Sequence, residues 1–348
     1  MVQQLSPQSI MDMVRVSGPG MVSLDPVPVP QLGSGDVLIE VANCGLCGSD
    51  LGYIKVGGVS APCTEPFGLG HELSGTIAAV GNAVSGLRPG QRVVVNPMGD
   101  GNMIGSGAPA GAFAPYVVVT NATLGGSIHL IPDHVSFEAA ALAEPLAVAL
   151  HAVRRAGPLP DERIAVFGAG PIGLGIIHFL KASGVKDIVA IDLSPTRLQR
   201  ASSLGATATV NAAEADVASA LGDAHGRGDL FGWPVVNTGV FFDVSTSPGV
   251  LPQIVGVAPF HARVVLVAVH HAPIAIEWKM VLGKELTITT AMGYPDEFAD
   301  ALTAIAEPGF DEDAFISHRF ALAQFHDALA AARARDGSAK VMISCQPS

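Results

Sequence analysis

The sequence predicts an α/β protein with two domains: a compact β-barrel-like domain and a doubly wound domain built on a parallel sheet. Three observations lead to this prediction. The chain has 348 residues, enough for two domains that each have a core. Its first part contains short β-type segments separated by glycine and proline. From Arg163 onward, short apolar strands alternate with helical segments, the pattern of a parallel sheet covered by helices.

The composition excludes several classes of protein. Hydrophobic residues make up 49% and charged residues 14%, which favours a well-buried globular body over disorder. A formal net charge of -12 argues against nucleic acid as a partner, because such binding neutralises phosphates with Lys and Arg. No apolar run approaches the roughly 18 residues of a membrane span, so no membrane association is expected.

The chain start and the cysteines bear on location. Met1 to Ile10 lack the basic and apolar regions of a secretory signal and are expected to form a short disordered extension. Four cysteines are few for a disulfide scaffold, so a reducing cytoplasm is predicted.

The strands of the first domain are read from apolar segments between turn signals. They are expected at Asp36 to Val41, at Leu73 to Val80 and at Gln91 to Val95. Between Gly99 and Gly111 the five glycines make a regular element improbable, so a long loop is predicted there.

Helices begin near residue 137. They are predicted at Phe137 to Ala143 and at Pro145 to Ala156, the second with proline as its first residue. The parallel sheet follows, with these elements: strands Ile164 to Phe167, Ile188 to Ile191, Gly239 to Val244 and Arg263 to Val269, and helix Ile172 to Ser183. The last stretch is predicted to hold helices Glu297 to Ala306 and Ala323 to Arg335 and a strand Lys340 to Ser344.

A glycine motif, Gly168-Ala169-Gly170-Pro171-Ile172-Gly173, lies where the first of these strands passes into a helix. Gly168 permits the tight turn, Gly170 lets a pyrophosphate approach the backbone, and Gly173 lets the helix pack on the strand. The free N–H groups of the helix N-terminus then face the phosphates. The motif therefore predicts a dinucleotide site.

Asp192 ends the next predicted strand, nineteen residues after Gly173. A carboxylate there accepts hydrogen bonds from a ribose 2′-hydroxyl and repels a 2′-phosphate, which favours NAD over NADP. Arg197 allows two interpretations: it softens that preference as a cofactor contact, or it is a solvated helix residue.

Cys47 and His71 offer the thiolate and imidazole that zinc prefers. Glu72 is adjacent to His71 and, on a regular strand, points the opposite way unless the chain bends, which Gly70 and the nearby Gly68 would allow. Glu144, followed by a proline, is either an ionised ligand or a helix cap. Cys44 could form a redox pair with Cys47, but a buried side chain at Cys44 is favoured. The histidines outside the motif are expected to be packing or surface residues, among them His151, His270 and His271.

Together these motifs resemble the zinc-dependent medium-chain dehydrogenases. The resemblance runs from Met11 to Ile343 through Cys44-Gly45-Leu46-Cys47-Gly48-Ser49-Asp50, Gly70-His71-Glu72, Glu144-Pro145-Leu146-Ala147-Val148 and the glycine motif. The Glu144-Pro145 form is similar to the polyol branch of sorbitol, butanediol and threonine dehydrogenases. The resemblance implies a GroES-like β-barrel catalytic domain (1–141), a Rossmann NAD-binding domain (142–291) and a return segment (292–348) that completes the catalytic domain.

The resemblance also implies roles for individual residues. Cys47 and His71 would hold a catalytic zinc, with Glu72 and Glu144 as alternating or water-mediated carboxylate positions. Ser49 would pass on the proton of the alcohol, and Asp50 would orient a ligand. The backbone at Val267 and Val269 would meet the nicotinamide amide. A homodimer or homotetramer is also implied.

Three positions depart from the family pattern. No cysteine occurs in the glycine-rich loop, so one catalytic zinc per chain and no structural zinc are expected. Gly52 replaces a relay histidine, so the proton must leave through water or another group. Thr246 replaces a glycine and is expected to alter contacts with the adenosine.

The resulting hypothesis is a reversible, NAD-dependent oxidation of a small-molecule secondary alcohol or polyol to a ketone. Zinc lowers the pKa of the substrate hydroxyl, Ser49 takes its proton, and NAD accepts the hydride. The enzyme alternative is a zinc-free quinone or enone reductase of the same superfamily. An alternative of another class is a non-catalytic dinucleotide-binding or structural protein that kept the fold.

Overall fold

The computed structural model describes residues 9–270, 272–334 and 337–346. The first eight residues of the predicted extension lie outside this part, as do His271 and Arg335, the predicted end of the last helix. The described chain forms two compact units: residues 9–144, 298–334 and 340–346 make the first, and residues 145–270, 272–297 and 337–339 make the second. The predicted assignment of catalytic and cofactor-binding roles to domains remains a prediction.

The regular elements are numbered along the chain. The strands are β1 (Ile10–Gly18), β2 (Met21–Pro28), β3 (Val37–Leu46), β4 (Phe67–Gly68), β5 (Glu72–Val80), β6 (Arg92–Val95), β7 (Tyr116–Val119), β8 (Ile128–Leu130), β9 (Arg163–Phe167), β10 (Asp187–Asp192), β11 (Ala208–Asn211), β12 (Arg227–Leu230), β13 (Trp233–Val236), β14 (Val240–Asp243), β15 (Arg263–Leu266), β16 (Thr287–Thr290), β17 (Ile316–Ala321) and β18 (Lys340–Ser344). The α-helices are α1 (Gly48–Val56), α2 (Phe137–Ala141), α3 (Ala143–Ala156), α4 (Pro171–Ala182), α5 (Pro195–Leu204), α6 (Val217–His225), α7 (Val250–Val257), α8 (Trp278–Gly283), α9 (Phe298–Ile305) and α10 (Phe325–Arg333). No helix among them is both long and apolar enough to cross a membrane.

The first unit is built on a seven-stranded sheet. Its strand order is β17-β18-β3-β5-β6-β8, with β7 also paired to β3, and β2-β1-β4 form a second, smaller sheet. Strand β3 places Val37, Ile39 and Val41 on one face, in the core of this unit, and Leu38 on the other face is buried as well. Strand β3 continues to Leu46, five residues beyond the predicted end at Val41, because the last strand of the chain also pairs with it.

That last strand, β18, was predicted with its observed bounds. It runs antiparallel to β3 and places Val341 opposite Leu46. The pairing brings Lys340, the first residue of β18, beside the segment that carries Cys47. A contact between distant parts of the chain thus positions the candidate site.

The second unit contains the predicted parallel sheet. Its six strands are paired in parallel in the order β11-β10-β9-β14-β15-β16, so the order reverses between β9 and β14. Ligands of such sheets bind beyond the carboxyl ends of the strands at this reversal. The two units together confirm the predicted α/β fold class.

Several element bounds differ from the predictions, and those of β15 and α3 bear on the candidate sites. Strand β15 ends at Leu266 instead of Val269, because the N–H groups of Val267 and Ala268 both turn to the carbonyl of Asp243. Val267 and Val269, predicted as strand residues, therefore follow the strand. Helix α3 begins at Ala143 instead of Pro145. A proline is tolerated in the first turn because the N–H groups there have no helical acceptor.

The glycine-rich segment from Gly99 to Gly111 is a loop, as predicted, apart from a 3₁₀ turn at Gly99–Gly101. The Asp100 carboxylate ties it to the rest of the unit. It accepts hydrogen bonds from the N–H and hydroxyl groups of both Thr123 and Ser127, at 2.6 to 3.0 Å. Those hydrogen bonds lower the pKa of Asp100 although its partial burial opposes them. A carboxylate and its donors thus hold the loop in place.

Candidate metal centre and dinucleotide turn

The first unit brings three potential metal ligands together. One ligand atom each of Cys47, His71 and Glu72 lies within 4.8 Å of the other two, and this is the one such group found among the described residues. Cys47 caps the N-terminus of α1 and is half-buried, whereas His71 and Glu72 are buried. The grouping corresponds to three of the four predicted ligands.

The chain bends at Gly70, directly before His71 and Glu72, and this bend contributes to the grouping. Gly70 has φ 91°, in the left-handed region, and a Cβ there would contact the Phe113 ring and backbone at 2.7 to 2.9 Å. The sequence identified Gly70 as the place for such a bend. A second glycine, Gly45, leaves room for the Glu72 carboxylate, which a Cβ at that position would overlap.

Asp50 and Ser49 flank the imidazole of His71. The Asp50 Oδ1 atom lies 3.6 Å from His71 Nδ1, and Asp50 Oδ2 accepts a hydrogen bond from the Cys47 N–H at 2.9 Å. Burial by itself would lower the pKa of His71, but the charge of Asp50 and the contact with Cys47 raise it well above its ordinary value. Ser49 Oγ lies 3.5 Å from His71 Nε2, so a hydroxyl stands directly beside the group.

Lys340 is a member of this site that the sequence did not identify. Its Nζ lies 2.5 and 2.6 Å from the two oxygens of Glu72 and 3.2 Å from the Leu46 carbonyl. Both side chains of the ion pair are buried. Burial would lower the pKa of Lys340, but the negative charges of Glu72, Cys47 and Glu144 raise it. A lysine at the start of an otherwise apolar strand was the available signal.

Glu144 does not join the three-ligand group. It lies in the first turn of α3, is buried, and is close enough to raise the pKa of Lys340. Cys44 is also separate: burial raises the pKa of its thiol well above the ordinary value, and its Sγ contacts the Gly45 carbonyl at 3.7 Å. The preferred interpretation of Cys44 as a buried small side chain is therefore correct.

The donor set fits zinc. Thiolate, imidazole and carboxylate are the ligands that zinc takes in proteins, and three protein ligands leave one position of a tetrahedral site for substrate. The Asp50 carboxylate lies on the Nδ1 side of His71, the side from which carboxylates orient histidine ligands in metal sites.

The second unit contains the glycine turn as predicted. Gly168 has φ 104°, and a Cβ on Gly173 would overlap the Gly168 carbonyl, so both positions require glycine. A Cβ on Gly170 would meet nothing within 4 Å, so this face of the turn is open. Helix α4 begins at Pro171 with Ile172 next, and no side chain caps its N-terminus. This cradle fits a pyrophosphate.

Asp192 ends β10 beside the turn. Its Oδ2 accepts a hydrogen bond from the Ala169 N–H at 2.7 Å, and its Oδ1 accepts one from the Ser194 N–H at 2.9 Å. Arg197 is half-buried, and its Nε donates to the Ser338 carbonyl at 2.6 Å. Arg197 thus lies on helix α5 with one contact to the backbone, and both interpretations of it remain predictions.

The segment after β15 forms another part of the carboxyl edge of the sheet. The Asp243 carbonyl accepts hydrogen bonds from Val267 N–H at 2.9 Å and Ala268 N–H at 3.1 Å. Val267 is half-buried, and Val269 is 57% exposed. His270 was expected to be a packing or surface residue, but its Nε2 faces the buried Asp243 carboxylate at 3.5 Å.

Comparison with known proteins agrees with this geometry. Residues 33–132 match the family model described as alcohol dehydrogenase GroES-like domain, and residues 171–307 match the model described as zinc-binding dehydrogenase. The chain is 33% identical over 323 residues to (R,R)-butanediol dehydrogenase of Bacillus subtilis (strain 168), covering 86% of this chain and 90% of that protein. It is 31% identical over 352 residues to sorbitol dehydrogenase of Rattus norvegicus, covering 95% of each.

The solved structures include one of 2R,3R-butanediol dehydrogenase from Bacillus subtilis. It superposes with a TM-score of 0.84 at 30% identity, covering 97% of this chain and 100% of that one. The similarity therefore extends over both units.

Proposed function

Because the chain belongs to the zinc-binding dehydrogenases with an alcohol dehydrogenase GroES-like domain, we propose that it oxidises a secondary alcohol or polyol to a ketone, reversibly and with NAD. Its membership of this family confirms the resemblance predicted from the motifs. The observation that carries the proposal is the grouping of Cys47, His71 and Glu72 within 4.8 Å. The relatives named above act on a vicinal diol and a sugar alcohol, as their names state, which supports the substrate class.

The proposed metal ligands are Cys47, His71 and a carboxylate. A bound zinc would supply a Lewis acid for the substrate oxygen, and bound NAD would accept the hydride. The chain itself places the Asp50 carboxylate 3.6 Å from His71 Nδ1, where it can orient the imidazole, and provides the Ser49 hydroxyl, 3.5 Å from His71, to receive the proton of the alcohol. With Gly52 in place of a relay histidine, we propose that this proton continues to water.

Glu72 and Glu144 are the two candidates for the third ligand. Glu72 lies in the three-ligand group, but its carboxylate is held by Lys340. Glu144 is buried outside that group and contributes to the same electrostatic environment. We propose that Glu72 alternates between Lys340 and the metal, with Glu144 as a water-mediated position.

We propose one zinc per chain. The loop from Gly99 to Gly111 contains no cysteine and is held by the hydrogen bonds of Asp100. That arrangement supports the absence of a structural metal in this loop.

NAD is the proposed cofactor. We assign its pyrophosphate to Gly168, Gly170, Pro171, Ile172 and Gly173, a turn whose open face supports the assignment. Asp192 would accept the ribose hydroxyls and repel a 2′-phosphate. Because Arg197 is held by the Ser338 carbonyl, its contribution to cofactor binding is proposed to be minor. Val267 and Val269 remain the proposed backbone contacts of the nicotinamide.

Three further expectations are part of the proposal. We retain the domains 1–141, 142–291 and 292–348, a cytoplasmic location, and a homodimer or homotetramer. Light scattering on the purified protein tests the last of these.

The decisive experiment is elemental analysis of freshly purified protein combined with NAD⁺ reduction in the presence of secondary alcohols and diols. We expect about one zinc per chain and turnover. Cys47→Ser should lose zinc and turnover while keeping NADH binding. Cys63→Ser is the matched control, because Cys63 is a half-buried cysteine whose Sγ contacts only the Val16 carbonyl among the contacts described.

Two outcomes would contradict the proposal. Protein without zinc that reduces quinones or enones would indicate the zinc-free reductase. Protein with neither zinc nor turnover of NAD would indicate a non-catalytic role.

A further inference from the structure

A buried carboxylate and an imidazole face each other beside the dinucleotide turn, and no role has been assigned to them. Asp243 is fully buried at the end of β14, and its Oδ2 lies 3.5 Å from Nε2 of His270, whose side chain is 15% exposed. Neither of these two atoms makes a hydrogen bond within the part of the chain described. Buried polar atoms nearly always have partners, so this pair requires an explanation.

Asp243 connects two loops at the carboxyl edge of the sheet. Its Oδ1 accepts a hydrogen bond from the Ser245 N–H at 3.1 Å, in the loop that follows β14. Its carbonyl accepts the N–H groups of Val267 and Ala268, in the segment that follows β15. The side chain and backbone of one residue thus hold both loops.

The first of these loops touches the dinucleotide turn. A Cβ on Gly168 would lie 3.1 to 3.3 Å from the backbone of Val244 and Ser245. The turn that would receive the pyrophosphate therefore packs directly against the loop that Asp243 holds.

The second loop is irregular. Residues 267–277 contain no helix or strand in their described part, and Val269 is 57% exposed. His270 is the side chain of this segment that reaches back to Asp243.

We propose that the contact between His270 and Asp243 closes when the dinucleotide binds, so that His270 acts as a positioning residue for the segment that receives the nicotinamide end. The inference rests on the proposed function, because that function assigns Val267 and Val269 to the nicotinamide. Burial raises the pKa of Asp243 to about 6, against the opposing effects of Ser245 N–H and His270, which is consistent with a carboxylate that lacks a full set of partners. Contraction of the 3.5 Å separation into a hydrogen bond would satisfy both atoms and fix the segment.

The test compares NADH affinity and amide exchange in matched variants. NADH binding is measured by fluorescence titration, and hydrogen exchange of peptides covering residues 264–278 is followed with and without NADH. In the wild type we expect NADH to slow exchange in this segment. His270→Asn, whose shorter side chain cannot reach Asp243, should bind NADH about tenfold more weakly and lose this protection. His270→Gln, with a longer amide that can donate to Asp243, should retain most of both.

The matched control is His261→Asn. His261 precedes the same strand, β15, and pairs with Glu285 at 2.9 Å, so the variant breaks an imidazole–carboxylate pair at the opposite end. Its φ of 62° is one that asparagine tolerates. We expect wild-type NADH affinity and protection.

The outcomes separate the inference from the proposed function. Wild-type affinity and protection in His270→Asn would overturn the inference alone, as would equal losses in His270→Asn and His261→Asn. No NADH binding by the wild type would overturn the proposed function and the inference with it.

Discussion

Replacement of Lys340 by methionine tests how the candidate metal centre is balanced electrostatically. The variant keeps the volume of the side chain but leaves the Glu72 carboxylate fully buried with no cation at 2.5 Å. Breaking a buried ion pair by removal of one partner costs about 3–5 kcal/mol, because the remaining charge is uncompensated. With a urea dependence of about 2–3 kcal/mol per M, the unfolding midpoint should fall by about 1–2.5 M.

Urea unfolding of metal-free protein, followed by circular dichroism, measures this cost, and hydrogen exchange of β3, β5 and β18 locates it. The double variant Lys340→Met/Glu72→Gln should be markedly more stable than the sum of the two single losses predicts, since it removes both charges. Zinc should stabilise Lys340→Met more than the wild type, because the carboxylate then has a metal as its cation.

Lys284→Met is the matched control. Lys284 is also fully buried, but its Nζ donates to the carbonyls of Val255 and Gly256 at 2.9 and 2.7 Å. Loss of the Lys284 ammonium group leaves two carbonyls without a donor but no unpaired charge. It should lower the free energy of unfolding by about 1–3 kcal/mol. The reasoning is refuted if Lys340→Met costs no more than Lys284→Met, or if the Lys340 and Glu72 substitutions are additive.

Three other predictions concern the loop and the second unit. Asp100→Asn, which tolerates φ 55° but loses the charge that accepts from Thr123 and Ser127, should cost about 1–2 kcal/mol in thermal or urea unfolding; an unchanged stability would contradict it. Removal of zinc with a chelator should abolish turnover and release about one zinc per chain, whereas release of about two would reveal a second metal. The pKa of Asp243 is raised from 3.8 to about 6, so the stability gained from its proton is present below about pH 4 and lost as pH rises through 6. The melting temperature of the wild type minus that of Asp243→Asn should therefore decrease between pH 4 and 7, by the equivalent of about 3 kcal/mol, and a constant difference would contradict the burial argument.

Local signals explain what the sequence could predict. The glycines at 168 and 173 are required by backbone geometry within a few residues, and that requirement is visible in the motif itself. Cys47 and His71 could be identified because cysteine and histidine are the residue types that zinc prefers as ligands. The β18 bounds followed from a short apolar run between polar residues.

The remaining members of the site depend on contacts between distant segments. Lys340 meets Glu72 across 268 residues, and no periodicity links a lysine at the end of the chain to a carboxylate near its start. His270 lies near Asp243 because β15 ends at Leu266. The strand ends there because the N–H groups of Val267 and Ala268 donate to the Asp243 carbonyl. Asp100 lies in a segment whose glycines indicate only a loop, so its acceptor role became visible once Thr123 and Ser127 were placed beside it.

The position of Lys340 in the last strand has a consequence for biosynthesis. At about 5–20 residues per second, a ribosome adds Lys340 some 15–50 s after Glu72. During that interval Cys47, His71 and Glu72 have already emerged, and strands β9–β16 of the second unit are completed. The nascent chain thus carries the Glu72 carboxylate before the Lys340 ammonium group exists. A metal ion that binds at this stage would be the first counter-ion of the carboxylate. Emergence of β18 then adds the ammonium group with which any bound metal must share Glu72.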